Sequence, residues 1–225
     1  MEFLFRGQMV RGFRWNHPSG KKLLLLHGFS SSITNFDAYV QPLIDKGYEV
    51  LAFDAPAHGR SDGKTINVLT YRNLVKELCE RYAPITSFIA HSFGGLSLSL
   101  ALEEMPHNDQ WKLVLIAPAA ETTTAMKHFF GFLHIGPRVR TAFEEVIRQT
   151  DGHPASWYSV ARASAHIRAQ VLFLQDEEDR ITPVADLAPI IRKNNPNFRF
   201  VLTKGLGHRR IYRDAQSVKT VIDFL

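Results

Sequence analysis

At 225 residues and 45% apolar content the chain can bury a sizeable core and falls within the range of one α/β domain, so a single domain over 1–225 is expected. Its formal charge of +5 comes from basic residues scattered among acidic ones, with no basic stripe interleaved with aromatics, so no nucleic-acid partner is expected. No apolar run reaches the ~20 residues of a membrane span, the opening MEFLFRGQMVRGFRWNHPSG breaks too often for a signal peptide's core, and the lone Cys79 excludes an internal disulfide framework; a soluble, cytoplasmic protein without a membrane span is the expectation.

The chain begins with two short strand patterns, around 2–6 and 9–15, separated by Gly7 and consistent with an antiparallel edge hairpin. Six apolar runs follow: KLLLLH at 22–27, EVLAFD at 49–54, ITSFIAH at 85–91, KLVLIA at 112–117, QVLFLQ at 170–175 and FRFVLT at 198–203. Between them, Phe36, Tyr39, Val40, Leu43 and Ile44 recur at helical spacing, as do Leu74, Val75 and Leu78, and later Val184, Leu187, Ile190 and Ile191. Alternation of strand and helix predicts an α/β fold with a mostly parallel central sheet of about eight strands, its strands buried on both faces by flanking helices. A last amphipathic helix carries Val218, Val221, Ile222 and Leu225, with Asp214 as its N-cap. Cys79 lies on an apolar helical stripe and reads as core.

One segment interrupts the alternation. From Ala120 to about Ile167, after the sixth strand, TTTAMKHFF, RVRTAFEEVIRQ and ASWYSVARASAH read as helices punctuated by Gly131, Gly136-Pro137, Gly152 and Pro154. This predicts a small helical cap at 120–167, with Phe129, Phe130, Phe132, Leu133, Phe143, Trp157 and Tyr158 available as the roof of an acyl pocket.

The stretch SFIAHSFGG at 87–95 joins a buried strand to two glycines through His91-Ser92. In parallel sheets, function collects beyond the carboxyl ends of the strands. A sharp strand-to-helix turn there holds Ser92 at its apex in a strained conformation; Ala90 and Gly94 keep the turn uncrowded, and Gly95 admits the helix close to its neighbours. A serine hydroxyl needs a base to take its proton and a third group to orient that base. Later strand ends supply both: Asp176, Glu177, Glu178 and Asp179 follow QVLFLQ, and His208 follows FRFVLT. The order serine, acid, histidine is that of the serine elbow on such a sheet. The Phe93 N–H, directly after Ser92, is placed to stabilise an oxyanion.

With LLLLHGF at 23–29, FDAPAHGRSDG at 53–63, AHSFGG at 90–95, LQDEEDRITPV at 174–184 and GLGHRR at 205–210, the sequence resembles the α/β-hydrolase family over nearly its whole length. That resemblance implies Ser92 as nucleophile, Asp179 as the acid and His208 as the base, with Phe29 giving the second oxyanion-hole N–H. It also implies supporting roles for His27, His58 and His91. Ala90, Ala57 and Asp176 stand where the family pattern has glycine, so slightly altered backbone geometry is expected, aspartate tolerating a left-handed backbone better than most residues. The activity implied is that of a serine hydrolase of small-molecule carboxylic esters, with thioester cleavage, carbon–carbon hydrolysis or ligand binding with little turnover as alternatives. Neither GxGxxG nor GxxxxGK[ST] occurs, so no nucleotide cofactor is expected, and His128, His134, His153 and His166 lack zinc-ligand spacing. Arg209, Arg210 and Arg213, the tightest basic group, read as solvated surface.

Overall fold

Within Lys22–Leu26 the leucines divide between two cores: Leu23 and Leu25 join Val50, Ala52 and Ile89, whereas Leu24 and Leu26 join Leu51, Phe53 and Phe88. Period-two alternation with both sets apolar is what a strand needs when helices cover both faces of its sheet. The computed structural model describes all 225 residues. It forms one eight-stranded sheet: β1 (Glu2–Phe5), β2 (Gln8–Trp15), β3 (Lys22–Leu26), β4 (Glu49–Phe53), β5 (Ser87–His91), β6 (Lys112–Ile116), β7 (Gln170–Asp176) and β8 (Phe198–Thr203). The order across the sheet is β1-β2-β4-β3-β5-β6-β7-β8. Antiparallel pairing is confined to β1 with β2 and β2 with β4; every later pair is parallel.

Nine α-helices accompany the sheet: α1 (Asp37–Asp45), α2 (Val68–Arg81), α3 (Phe93–Leu102), α4 (Thr122–Phe132), α5 (Pro137–Asp151), α6 (Val160–Ala163), α7 (Ala188–Arg192), α8 (Gly207–Arg210) and α9 (Ala215–Phe224). Tyr39 and Leu43 of α1 and Val218 and Val221 of α9 close one face of the sheet. Leu74, Val75 and Leu78 of α2, with Leu98 and Leu102 of α3, close the other. Helix α3 is apolar all round and buried from Gly94 to Leu102, as suits a helix wedged between the central strands and α2. Asn67 caps α2 by accepting from Thr70 N, and Asp214 caps α9 by accepting from Ser217 N at 2.9 Å, as its position predicts. No helix is long and apolar enough to cross a membrane.

Two expectations need correction. FRFVLT is not buried on both faces: β8 is the last strand of the order, and its residues are half-buried or exposed. An edge strand has a neighbour on one side only, which is why Arg199 is tolerated within it. Gly131 does not punctuate the segment between β6 and β7 either, because α4 runs through it to Phe132. Nothing lies within 4 Å of where its Cβ would be, so the glycine is not there to admit a close neighbour. The rest of that segment is helical, with α5 and α6 and short 3-10 turns between them, and α5 buries none of its residues.

Candidate active site

Ser92 stands between β5 and α3 with φ 53° and ψ −117°, a region that costs a non-glycine residue on the order of 1–3 kcal/mol. The turn is held from several directions. Ser92 N donates to Ile116 O at 3.0 Å, and Ser92 O accepts from Gly95 N at 2.9 Å and Ala119 N at 3.0 Å. Packing explains the glycines: a Cβ on Gly94 would stand 2.6 Å from His27 O, and one on Gly95 3.0 Å from Pro118 Cβ. Ala90 sits within β5, fully buried, so its methyl fits the position where the family pattern has glycine. Ala57 does take the glycine-like conformation, at φ 64°.

Three loops from the carboxyl ends of β5, β7 and β8 converge on one point. Ser92 Oγ lies 2.9 Å from His208 Nε2, and His208 Nδ1 lies 2.8 Å from Asp179 Oδ2. Among the four acidic residues after β7, Asp179 is thus the one facing the imidazole. Its carboxylate also accepts from Ile181 N (2.8 Å), Thr182 N (3.0 Å) and Thr182 Oγ1 (2.8 Å), and more distantly from Gln175 Nε2 (3.2 Å). Burial pushes its proton affinity up, but the bonds and charge from His208 and Thr182 outweigh burial and hold the carboxyl below its ordinary range. With Oδ2 accepting, Nδ1 carries a proton and Nε2 is left free to accept one from Ser92.

The loop after β3 completes the opposite wall. His27 is buried, donates from Nδ1 to Gly28 O at 2.8 Å and accepts at Nε2 from Ala55 N at 2.9 Å. Burial pushes its pKa down to about 4, so it stays neutral and serves as a brace. Gly28 passes directly over the elbow, where a Cβ would meet His91 Nδ1 at 2.8 Å and Ser92 Cβ at 3.0 Å. The next residue, Phe29, is 65% exposed and packs edge-on against Phe93 and His58, with ring centroids 6.0 and 5.4 Å apart. Its N–H donates to no backbone carbonyl. His58 fixes the loop by accepting from Ser30 N at 3.1 Å. His91, also buried, donates to His208 O at 3.0 Å and packs at a tilt of 42° against Tyr212, ring centroids 4.3 Å apart; burial and the neighbouring His208 push its pKa down to about 3.

Sequence patterning leaves two contributors unassigned and gives a third a different part. Thr182 bridges Asp179 and Ala117 O and lies 3.0 Å from His208 Nδ1. Tyr71 reaches His27 O from α2 at 3.1 Å. Asp176 departs from expectation: it has no left-handed backbone but ends β7 in an extended conformation, wholly buried. Its carboxylate accepts from Thr203 Oγ1 (2.8 Å), Leu206 N (3.0 Å) and Glu178 N (3.0 Å), tying the end of β7 to the loop that carries His208. Burial disfavours its charge, yet these donors outweigh burial and keep its carboxyl below the ordinary range.

The residues after β3, the elbow, the acid loop and the histidine loop all fall within the span matched by a model of the alpha/beta hydrolase family, residues 23–220. The chain belongs to the alpha/beta hydrolase family. It is 34% identical over 117 residues to an sn-1-specific diacylglycerol lipase, ABHD11, of Xenopus tropicalis, covering 49% of this chain and 36% of that protein. It is 33% identical over 107 residues to an uncharacterized hydrolase, YugF, of Bacillus subtilis, covering 45% and 39%. The aligned parts are thus less than half the length of these curated relatives. In structure, this alpha/beta hydrolase resembles an esterase of Pyrococcus furiosus, with a TM-score of 0.73, 22% identity and coverage of 100% of this chain and 88% of that one. It also resembles Est1E of Butyrivibrio proteoclasticus, solved with ferulic acid bound, with a TM-score of 0.66, 20% identity and coverage of 100% and 97%.

Beside the elbow lies an apolar cavity of about 290 Å³, walled by Phe93 and Leu96 of α3, by Ala119 of the loop after β6, and by Met126, Phe143 and Tyr158 from the segment between β6 and β7. Of the seven residues expected as a roof, only Phe143 and Tyr158 reach it. Phe130 packs edge-on against Phe143, Trp157 stacks on His153, and Phe129 and Phe132 point outward, 53% and 82% exposed. A second, polar cleft of about 370 Å³ is lined by Ser92 itself, with His208 and Phe29.

Proposed function

We propose that this alpha/beta hydrolase cleaves carboxylic esters of small or medium acyl chains through an acyl-enzyme on Ser92. The supporting observation is the unbroken chain of hydrogen bonds from Ser92 Oγ through His208 to Asp179, at 2.9 and 2.8 Å. In this reading Ser92 Oγ attacks the ester carbonyl while His208 Nε2 takes its proton, and Asp179 holds the imidazole in the required tautomer and stabilises its charge. The oxyanion accepts from the N–H groups of Phe29 and Phe93, donors of a kind each worth roughly 10²–10³ in rate. His208 then returns its proton to the departing alcohol oxygen, and water, activated by the same imidazole, releases the acid and frees Ser92.

The apolar cavity favours a hydrocarbon acyl group, and its volume of about 290 Å³ is at the small end of ligand pockets. Small and medium chains fit that size. Replacing Ser92 with alanine tests the assignment: kcat/KM for p-nitrophenyl butyrate falls by about a thousandfold or more, and activity kept within about tenfold of the parent overturns it.

A further inference from the structure

The two hollows at the elbow, one lined by Ser92 and the other by the next residue, Phe93, differ in chemistry. The cavity beyond Phe93 is almost wholly apolar, whereas the cleft over His208 is lined by Ser30, Ser31, Asn35, Arg209, Tyr212 and Arg213 among others, with no carboxylate in its wall. Arg11, Arg14, Arg72, Arg81, Arg148 and Arg162 pair with acidic side chains. Arg209 and Arg213, like several other arginines of the chain, do not, and these two line the cleft. The third member of this basic group, Arg210, turns away to the carbonyls of Gly205 and Leu206 and closes its own loop.

Arg213 is also positioned. Its guanidinium donates to Asn35 Oδ1, and Asn35 Nδ2 donates to Ser31 Oγ at 2.8 Å, which leaves the Ser31 hydroxyl hydrogen free to donate. This chain of bonds links the loop after α8 to the loop after β3 across the cleft. Two uncompensated guanidiniums and nearby hydroxyls make a surface suited to a carboxylate or phosphate, which guanidinium binds through paired, charge-assisted hydrogen bonds.

Which part of the substrate lies there follows from the proposed chemistry, on which this inference rests. The leaving oxygen must come within hydrogen-bond reach of His208 Nε2 to receive its proton, so the alcohol portion extends over His208 and Arg209. The acyl portion then lies toward the apolar cavity. We propose that Arg209 and Arg213 form an anion subsite for the alcohol portion, and that the preferred esters carry a carboxylate or phosphate there.

Three butyrate esters with one acyl group test this: phenyl butyrate, 4-carboxyphenyl butyrate and 4-(butyryloxy)phenyl phosphate. In the Arg209→Gln/Arg213→Gln double variant, the ratio of kcat/KM for each anionic ester to that for phenyl butyrate falls about tenfold or more relative to the parent, chiefly through KM. Comparing variant with parent cancels the leaving groups' intrinsic reactivities, and the larger fall of the two names carboxylate or phosphate as the better fit. In the parent, raising salt from about 20 mM to about 500 mM lowers kcat/KM for the anionic esters severalfold and leaves phenyl butyrate nearly unchanged. The salt response decides the matter if the double variant does not fold. An unchanged ratio together with equal salt responses for charged and neutral esters overturns the subsite while leaving ester hydrolysis standing. If the parent turns over none of the three, the ester-hydrolysis reading fails and the subsite falls with it.

Discussion

Replacing Asp176 with alanine removes the acceptor on which Thr203 Oγ1, Leu206 N and Glu178 N converge at 2.8, 3.0 and 3.0 Å. Orphaning a buried donor costs about 1–3 kcal/mol. The threonine hydroxyl can rotate to another acceptor, and Glu178 lies near solvent, so the net loss of stability comes to about 2–3 kcal/mol. The effect on rate is separate. Leu206 is two residues before His208, and a shift of ~1 Å in a catalytic group can cost ~10²-fold, so kcat falls about 10–100-fold with KM little changed. Asp176→Asn keeps an acceptor for Thr203 and Leu206 and recovers part of both losses. The assay is urea unfolding together with p-nitrophenyl butyrate kinetics at a temperature where each variant is fully folded. An alanine variant within about 0.5 kcal/mol of the parent and within about twofold in kcat would refute the reasoning.

Acid should weaken the fold through its buried histidines. The pKa of His91 is pushed down to about 3 and that of His27 to about 4, against 6.5 for an ordinary histidine. The unfolded chain therefore binds more protons than the folded one between about pH 4 and 6.5, and the stability these neutral rings provide is full above about 6.5 and lost on acidification. Urea unfolding between pH 7 and 5 should show a slope approaching ~1.4 kcal/mol per pH unit for each ring, and a flat profile contradicts their burial as neutral groups. For the acyl cavity, Ala125→Trp fills space within its wall. Each methylene buried there is worth about 0.8 kcal/mol, so the parent should prefer octanoate to butyrate esters and the variant should lose most of that preference, read from the ratio of kcat/KM values. An unchanged chain-length ratio would show that acyl chains bind elsewhere.

What was legible in the sequence was whatever local pattern controls. Leucine runs such as Leu23 to Leu26 mark strands buried on both faces, and the serine followed by Gly94 and Gly95 at a strand's end marks the elbow, because both patterns are written in neighbouring residues, although the atoms that crowd the two glycines, His27 O and Pro118 Cβ, come from distant loops. The acid was less legible. Four carboxylates follow β7, and choosing between them by chemistry requires knowing which faces the imidazole, a tertiary fact supplied by the 2.8 Å contact of Asp179. Asp176 was misread for the same reason: its identity suits a turn, yet a buried acceptor for the His208 loop is what the fold makes of it. Arg209 and Arg213 look like ordinary surface cations until the loop after β3 is brought against them. Aromatic content likewise marked the helices between β6 and β7 as a roof but not which rings face inward, since α5 has no buried position to fix its phase.

The most direct measurement is covalent labelling of the folded protein by a fluorophosphonate, located by peptide mass spectrometry. A nucleophilic Ser92 activated by His208 predicts rapid, stoichiometric modification at Ser92 that disappears in Ser92→Ala and slows by orders of magnitude in His208→Ala. No labelling of the parent, or labelling at another serine that persists in both variants, would contradict it.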